Sequence, residues 1–312
     1  DYKAYLAAPG NEQYQMRLAK MKNTDGKNHD IHNYYHHYGH GNWDTFSSQW
    51  MQIAGDCVDL NTENPYVLDY IVKAYSQYIE MGVDAFRIDT GKHIPRLVFN
   101  KVLNDAFMEA AADAGNDGFY MFSEICARAN EVVYRGTPNM SAFFYTWKES
   151  KEYPWDESRT SWDNHIMFET EMEQKDLESG SKMFAHTNGK SAQQQGLDYA
   201  QGASTAEFNS KNHLLDGNNY RPVDYSKNSG LNIIDFPMHW NFNNARDAFS
   251  VAVSGDQYCS DATWNVTYVD SHDYGPDMDT RYAGGTQAWA ENLNLMFTFR
   301  GIPCIYYGTE TE

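Results

Sequence analysis

Three apolar stretches of the sequence each end in an acidic side chain that could take part in acid–base or nucleophilic chemistry. They read GVDAFRID, YMFSE and VTYVDSHD, and they end at Asp89, Glu124 and Asp273. Each apolar run is too short for a helix and is predicted to form a strand, the first of them buried on both faces. Because parallel strands present their carboxyl ends at one edge of a sheet, the three acids are candidates for a shared site.

Basic side chains accompany the first acid. Alternation along a strand places Arg87 and Asp89 on the same side, where the guanidinium would keep the carboxylate ionised. Lys92 and His93 follow within four residues. On this stretch alone, a buried Arg87–Asp89 pair that only fixes packing remains an alternative. The two further acidic strand ends favour the catalytic interpretation.

The segments beside these strands have helical patterns. Asn64 and Pro65 form a helix start, and Gly82 ends that helix. A second helix is predicted over 92–114, with Gly115 as its stop. The apolar faces are predicted to contain Val67, Tyr70, Ile71, Ala74, Tyr78 and Met81 in the first helix, and Phe99, Leu103, Ala106 and Ala110 in the second.

Later segments continue the same alternation of strand and helix. Strands are predicted over 231–240 and 302–306, and a helix is predicted over 287–299. This order is the βαβ arrangement of a parallel α/β fold. Residues 1 to about 60 lack sustained periodicity and are predicted to be irregular.

Composition excludes several classes of protein. The chain has 312 residues, 41% of them apolar, which suffices for one barrel with insertions. A formal charge of −19 argues against a nucleic-acid partner. No stretch has the apolar length of a membrane span, and the first residues show no signal peptide. The four cysteines lack C-x-x-C spacing and indicate no disulfide framework, and Cys126 and Cys304 are predicted to be buried thiols.

Taken together, these motifs resemble the α-amylase family of glycoside hydrolases. GVDAFRIDTGKH is similar to the family segment that carries the nucleophile, which would be Asp89. YMFSEI resembles the segment of the general acid/base, Glu124, and VTYVDSHD that of the third acid, Asp273. GIPCIYYGTE is similar to the eighth barrel strand. Ser123 and Ser271 depart from the pattern, because Gly and Asn are usual at these positions.

The resemblance implies an α/β fold, a (β/α)8 TIM barrel that is truncated at both ends in this chain. Residues 1–62 would be an irregular domain inserted after strand three, and 63–312 a partial catalytic barrel. A further insertion is predicted over about 127–230. It could shape substrate subsites, bind a partner or cap the barrel.

The resemblance also implies a retaining glycoside hydrolase that cleaves α-1,4-glucosidic bonds in starch or maltooligosaccharides. Arg87, Lys92, His93 and His272 would bind substrate. The apolar strand and the neighbouring negative charge would raise the pKa of Glu124, and the two carboxyls would lie about 5 to 5.5 Å apart. Alternatives are an α-glucan transglycosylase or an α-1,6-acting relative with the same site, and a non-catalytic glucan-binding homologue.

A structural calcium ion is a further implication of the resemblance. Asp56 and the backbone carbonyl of His93 match two of the family's calcium ligands. The tract HNYYHHYGH invites a zinc interpretation as well, although its spacing fits no zinc signature. The expected partner is an α-glucan polysaccharide or oligosaccharide. Because polymeric starch does not enter cells, secretion or surface display is the expected location.

Overall fold

The structure is a computed structural model in which only part of the chain is described. The described residues are 2–22, 26–37, 39–41, 43, 46–54, 57–126, 133–134, 137–138, 142–146, 148, 225, 228–252, 259, 261–273 and 285–310. Most of the predicted insertion over 127–230 lies outside them, and so does Asp56. No helix of the described ranges combines the length and apolar character needed to cross a membrane.

Short strands and helices alternate along most of the described chain. The strands are β1 (Tyr35–His36), β2 (Asp59–Leu60), β3 (Ala85–Ile88), β4 (Tyr120–Ser123), β5 (Val133–Tyr134), β6 (Thr137–Pro138), β7 (Asn232–Ile233), β8 (Val266–Thr267) and β9 (Ile302–Pro303). The α-helices are α1 (Tyr2–Ala7), α2 (Gly10–Lys22), α3 (Pro65–Glu80), α4 (Arg96–Val98), α5 (Asn104–Asp113), α6 (Phe143–Thr146), α7 (Phe236–His239), α8 (Ala245–Ala252) and α9 (Gly285–Thr298).

Five strands run parallel in chain order. β3 pairs with β4 from Ala85↔Tyr120 to Ile88↔Ser123, and β4 pairs with β7. A parallel bridge joins Ile234 to Val266 at the start of β8, and β8 pairs with β9. This order is the parallel α/β arrangement that the sequence predicts. Within the described residues these strands do not close into an eight-stranded barrel.

The helix before β3 begins as the sequence predicts. The Asn64 side chain accepts a hydrogen bond from the backbone N–H of Tyr66, with Pro65 in the first turn. The predicted apolar face is partly wrong, because Tyr70 and Tyr78 are exposed. The side chains that pack on the core lie on a neighbouring stripe, with Ile79 fully buried.

The helix after β3 differs from its prediction. Lys92 and His93 belong to a 3₁₀ turn, Gly91–His93, and α4 starts only after Pro95. A π turn, Phe99–Leu103, then joins α4 to α5. Because a π turn accommodates one additional residue, it rotates the following helix face. The buried residues are Phe99, Leu103, Phe107 and Ala111; Ala110 is partly buried against the same core, and Ala106 is not buried.

The predicted strand over 231–240 is too long. Strand pairing stops at Ile234, and Asp235 then caps α7 by accepting a hydrogen bond from the Met238 N–H at 3.0 Å. Pro237 lies in the first turn of α7, where its missing N–H costs nothing. Arg300 donates to the same buried carboxylate at 2.6 Å, which ties β7 to the segment that precedes β9.

The prediction of irregular structure before residue 60 is wrong for residues 2–22, which form α1 and α2. α2 has good helix formers but no apolar stripe, so its periodicity gives no signal. The His-rich tract contributes β1, which pairs antiparallel with β2. His36 on β1 is buried and is hydrogen-bonded to Asp59 at 2.6 Å and to Glu63 at 3.1 Å.

Candidate active site

The register of β3 with β4 brings the first two predicted acids together. Ile88 is paired with Ser123, so Asp89 and Glu124 follow neighbouring strands at the same level. Arg87 lies between them, with Nη1 2.5 Å from Asp89 Oδ1 and Nη2 3.1 Å from Glu124 Oε2. β3 is not buried on both faces as predicted, because Ala85 and Arg87 are exposed. In the described part of the chain, only β4 pairs with β3.

The two carboxyls have opposite protonation preferences. They share a hydrogen bond, which lowers the pKa of Asp89, and the Arg87 guanidinium lowers it further. Burial raises the pKa of Glu124 to about 7, and the hydrogen bond and negative charge of Asp89 act in the same direction. Below about pH 7 the pair therefore holds one proton, and Glu124 binds that proton in preference to Asp89.

The backbone turn after Asp89 is strained. Thr90 has φ 47° and ψ 33°, a left-handed conformation that a β-branched residue rarely adopts. Such a conformation costs on the order of 1–3 kcal/mol and persists only where its surroundings require it. The Thr90 backbone N–H slightly opposes the rise in the pKa of Glu124. The strained turn thus lies beside the candidate acid.

The third acid, Asp273, lies in the segment that follows β8 and lines a pocket together with Glu124. A cavity of about 170 Å³ is lined by Arg87, Glu124, His272 and Asp273. His272 Nε2 lies 3.2 Å from Asp273 Oδ2, and its charge also contributes to the lowered pKa of Asp89. The structure therefore brings Glu124 and Asp273, with Arg87 and His272, to one opening, and Asp89 adjoins that opening through its contact with Arg87.

Lys92 and His93 are buried and do not line this opening. Lys92 is buried, and Nζ donates to the carbonyl oxygens of Cys126 at 2.7 Å and Trp43 at 3.2 Å. The same ammonium lies 4.7 Å from the centre of the Trp43 ring. The His93 ring contacts Trp43 edge-on, and burial lowers the pKa of His93. A contact of either side chain with a sugar stays a prediction.

The calcium prediction gains no support from the described residues. Asp56 lies outside them, and the His93 imidazole is turned towards the Met51 carbonyl at 3.3 Å. Within the part of the chain that the structure describes, no group of three or more His, Cys, Asp or Glu side chains is arranged to hold a metal ion. Calcium therefore stays a prediction, and zinc at the His-rich tract stays the less favoured interpretation.

Sequence reasoning missed the apolar wall of the pocket. The wall includes Phe122, Phe236, Tyr268, Ile305 and Tyr306. Strand alternation could have found two of these, because Phe122 points the same way as Glu124 and Tyr268 the same way as Asp270. Cys304 also lines the pocket and is exposed, so the prediction of a buried thiol is wrong for it. Aromatic rings beside charged groups suit the apolar C–H faces and hydroxyls of a sugar.

Comparison with known proteins found matches to a family model, to curated proteins and to solved structures. The family model for the alpha-amylase catalytic domain matches residues 7–312. A cyclomaltodextrin glucanotransferase from Thermoanaerobacterium thermosulfurigenes is 22% identical over 91% of this chain and 28% of its own length. An alpha-amylase from Streptomyces lividans is 36% identical over 32% of this chain and 11% of its own length. The alpha-amylase of Geobacillus thermoleovorans, solved with acarbose, superposes with a TM-score of 0.49 at 16% identity, covering 90% of this chain and 45% of that one.

The match to the family model extends over nearly the whole chain, and the chain belongs to the alpha-amylase catalytic-domain family. It spans less than a third of the length of the two curated relatives named above.

Proposed function

We propose that this chain carries the active site of a retaining α-glucan hydrolase that cleaves α-1,4-glucosidic bonds by double displacement. The observation that carries the proposal is the Asp89–Glu124 pair, in which one carboxyl is held ionised and the other is held protonated. Cleavage of a glycosidic bond needs these two states side by side. One guanidinium contacts both carboxyls, and this proximity supports a retaining enzyme, because an inverting enzyme separates its carboxyls by roughly 6.5 to 9.5 Å to leave room for a water molecule.

In the first step, the Asp89 carboxylate attacks the anomeric carbon while the Glu124 carboxyl gives its proton to the glycosidic oxygen. The bond between that oxygen and the anomeric carbon breaks, and the leaving sugar departs with a free hydroxyl. The Arg87 guanidinium contacts both carboxyls, so it keeps Asp89 charged and orients Glu124. Asp273 and His272 would bind hydroxyls of the reacting ring from the opposite side of the pocket.

In the second step, Glu124 is a carboxylate and accepts a proton from water, whose oxygen attacks the anomeric carbon. The bond to Asp89 then breaks, and both side chains return to their starting states. If a sugar hydroxyl replaces the water, the same step is a transglycosylation. This second candidate is favoured by the cyclomaltodextrin glucanotransferases among the relatives.

The same proposal has consequences for the fold, for the sugar contacts and for the location of the protein. The five parallel strands would be strands four to eight of a (β/α)8 barrel, whose active sites lie at the carboxyl ends of the strands. The aromatic side chains Phe122, Tyr268 and Tyr306 would contact sugar faces. Because the substrate is a polymer that does not cross membranes, the protein would act outside the cell or on its surface.

Product analysis tests the proposal and separates its alternatives. The full chain is incubated with maltoheptaose and, separately, with pullulan, and the products are followed by chromatography and by NMR of the new anomeric centre. Hydrolysis predicts shorter maltooligosaccharides released as α-anomers. Products longer than maltoheptaose, or cyclic ones, would indicate transfer, and cleavage of pullulan at its branch-type bonds would indicate α-1,6 specificity. An unaltered substrate in both incubations, or β-anomeric products, would contradict the proposal.

A further inference from the structure

Gly91, after β3, and Ser123, at the end of β4, are two small residues that lie against each other. Gly91 is the second residue after Asp89, and Ser123 directly precedes Glu124. Ser123 is fully buried, and its hydroxyl occupies the space in which a Cβ on Gly91 would lie. The backbone of Gly91 does not have a positive φ, so alanine would be excluded there by contact with Ser123 and not by conformation.

The Ser123 hydroxyl also bonds to the opposite strand. Its Oγ donates to the carbonyl oxygen of Ile88 at 3.0 Å, and that carbonyl also accepts the backbone N–H of Glu124 at 2.9 Å. The Ile88 carbonyl at the end of β3 therefore accepts two hydrogen bonds, one from the Ser123 hydroxyl and one from the Glu124 backbone N–H. The next residues are Asp89 and Thr90, which has a strained left-handed conformation.

We propose that Gly91 and Ser123 form an interlocking pair that positions the Asp89 carboxyl against the Glu124 carboxyl. The absence of a side chain at Gly91 makes room for the hydroxyl, and the hydroxyl fixes the end of β3. Both are positioning residues, because neither touches the reacting atoms. The inference rests on the proposed function, in which the Asp89–Glu124 spacing governs the rate, and it adds two residues that set this spacing.

The geometry predicts that substitutions at Ser123 restore the activity lost in Gly91→Ala, to different degrees. Gly91→Ala places a methyl group on the Ser123 hydroxyl, and a displacement of about 1 Å at the carboxyls should lower kcat roughly a hundredfold. Adding Ser123→Ala leaves the two Cβ atoms 3.1 Å apart, so the rescue should be partial. Adding Ser123→Gly removes that contact, and only the flexible end of Ile125, at 2.9 Å, must shift. Gly91→Ala/Ser123→Gly should then match Ser123→Gly alone, within about tenfold of the unaltered chain after loss of one hydrogen bond.

The test measures kcat and KM on maltoheptaose, the alkaline limb of the pH profile and the thermal midpoint for each variant of the full chain. We expect Gly91→Ala to lower kcat with little change in KM and to move the alkaline limb to lower pH. The limb should move because the Asp89 charge that helps to raise the pKa of Glu124 is then farther away. A merely structural role would leave that limb unchanged. Gly118→Ala, at the entry to β4 with no atom nearer than 3.7 Å, is the matched control and should behave as the unaltered chain.

The double variant keeps the inference testable even if Gly91→Ala does not fold. A folded Gly91→Ala/Ser123→Gly variant that stays inactive while Ser123→Gly is active would overturn the pairing, and so would an unimpaired Gly91→Ala. Failure of the proposed function is separate, because it would appear as an unaltered chain that cleaves no glucan. In that case the double-mutant cycle of thermal unfolding still reports whether the two residues are coupled.

Discussion

At the scale of single residues, the account depends on two carboxyls whose environments differ. Asp89 is largely exposed and is paired with Arg87, whereas Glu124 is mostly buried beside a negative charge. These surroundings separate the two pKa values, and such a separation is how one site supplies both a nucleophile and an acid near neutral pH.

Removing either carboxyl should abolish most of the activity. Asp89→Asn removes the attacking oxygen, and Glu124→Gln removes the transferable proton, so we expect kcat to fall by about 10³-fold or more for the first and 10² to 10⁴-fold for the second. Initial rates on maltoheptaose provide the measurement. Asp84→Asn, at the other end of the β3 segment, and Glu80→Gln, on the exposed side of α3, are matched controls. Near-normal rates in Asp89→Asn or Glu124→Gln would refute the assignment.

The pH dependence of activity should follow the same two groups. Glu124 must be protonated in the free enzyme, and its pKa is raised to about 7, so kcat/KM should fall about tenfold for each pH unit above that value. Asp89 must be ionised, and because its pKa is lowered, the acidic limb should lie below the usual range of an Asp. Rates from pH 3 to 10 provide the test. Activity that rises steadily from pH 7 to pH 9 would contradict these protonation states.

At the scale of elements, buried polar links fix how the segments meet. The antiparallel pair β1–β2 is tied to the start of α3 by His36, which contacts Asp59, Asn61 and Glu63. Burial alone would lower the pKa of His36, but the hydrogen bonds to Asp59 and Glu63 outweigh it and raise the pKa to about 9. The imidazole is therefore a cation at neutral pH, which explains why a histidine can lie between two carboxylates.

This link predicts a pH-dependent stability. Because the folded state holds the His36 proton more tightly than the unfolded chain, its contribution is full below about pH 6.5 and is lost as pH rises through about 9. We expect this part of the free energy of unfolding to decrease by about 1 to 3 kcal/mol between those values. Urea unfolding of His36→Gln should show a smaller decrease than the unaltered chain. His32→Gln, an exposed neighbour, is the control, and an equal pH dependence in all three would contradict the prediction.

At the scale of the whole molecule, the sequence predicted the parallel order of strands and the approach of Asp89 to Glu124. Both depend on short-range patterns, namely apolar runs that end in a carboxylate. It did not predict the exposed face of β3, because burial depends on which elements cover a strand. The end of the strand near Asp235 was also missed, since a capping carboxylate within an apolar run leaves the hydrophobic pattern unchanged.

The strained Thr90 and the close contact of Gly91 with Ser123 were beyond sequence reasoning for another reason. Each arises between residues that are distant in the chain and adjacent in space. The departure of Ser123 from the family pattern was visible in the sequence, but its partner could be recognised only once β3 and β4 were paired. Pairwise packing of this kind depends on register, which apolar periodicity alone does not fix.

Calcium binding is a prediction for the whole molecule. If Asp56 and the His93 carbonyl hold the ion, a chelator should lower the thermal midpoint, because a ligand bound only to the folded state stabilises it. Asp56→Asn should weaken this response, and added Ca²⁺ should restore the midpoint of the unaltered chain. The control is Asp69→Asn, on the exposed side of α3. A melting curve that the chelator leaves unchanged would contradict the prediction of a structural calcium ion.

Trapping the sugar on the enzyme tests the central claim most directly. The full chain is treated with a 5-fluoro-maltosyl fluoride, which should form the covalent intermediate readily and release it slowly, and the digested protein is sequenced by mass spectrometry. The account predicts one maltosyl adduct, as an ester on Asp89, and no adduct in Asp89→Asn. A sugar attached to Glu124 or Asp273, or steady turnover with no adduct on any carboxylate, would contradict it.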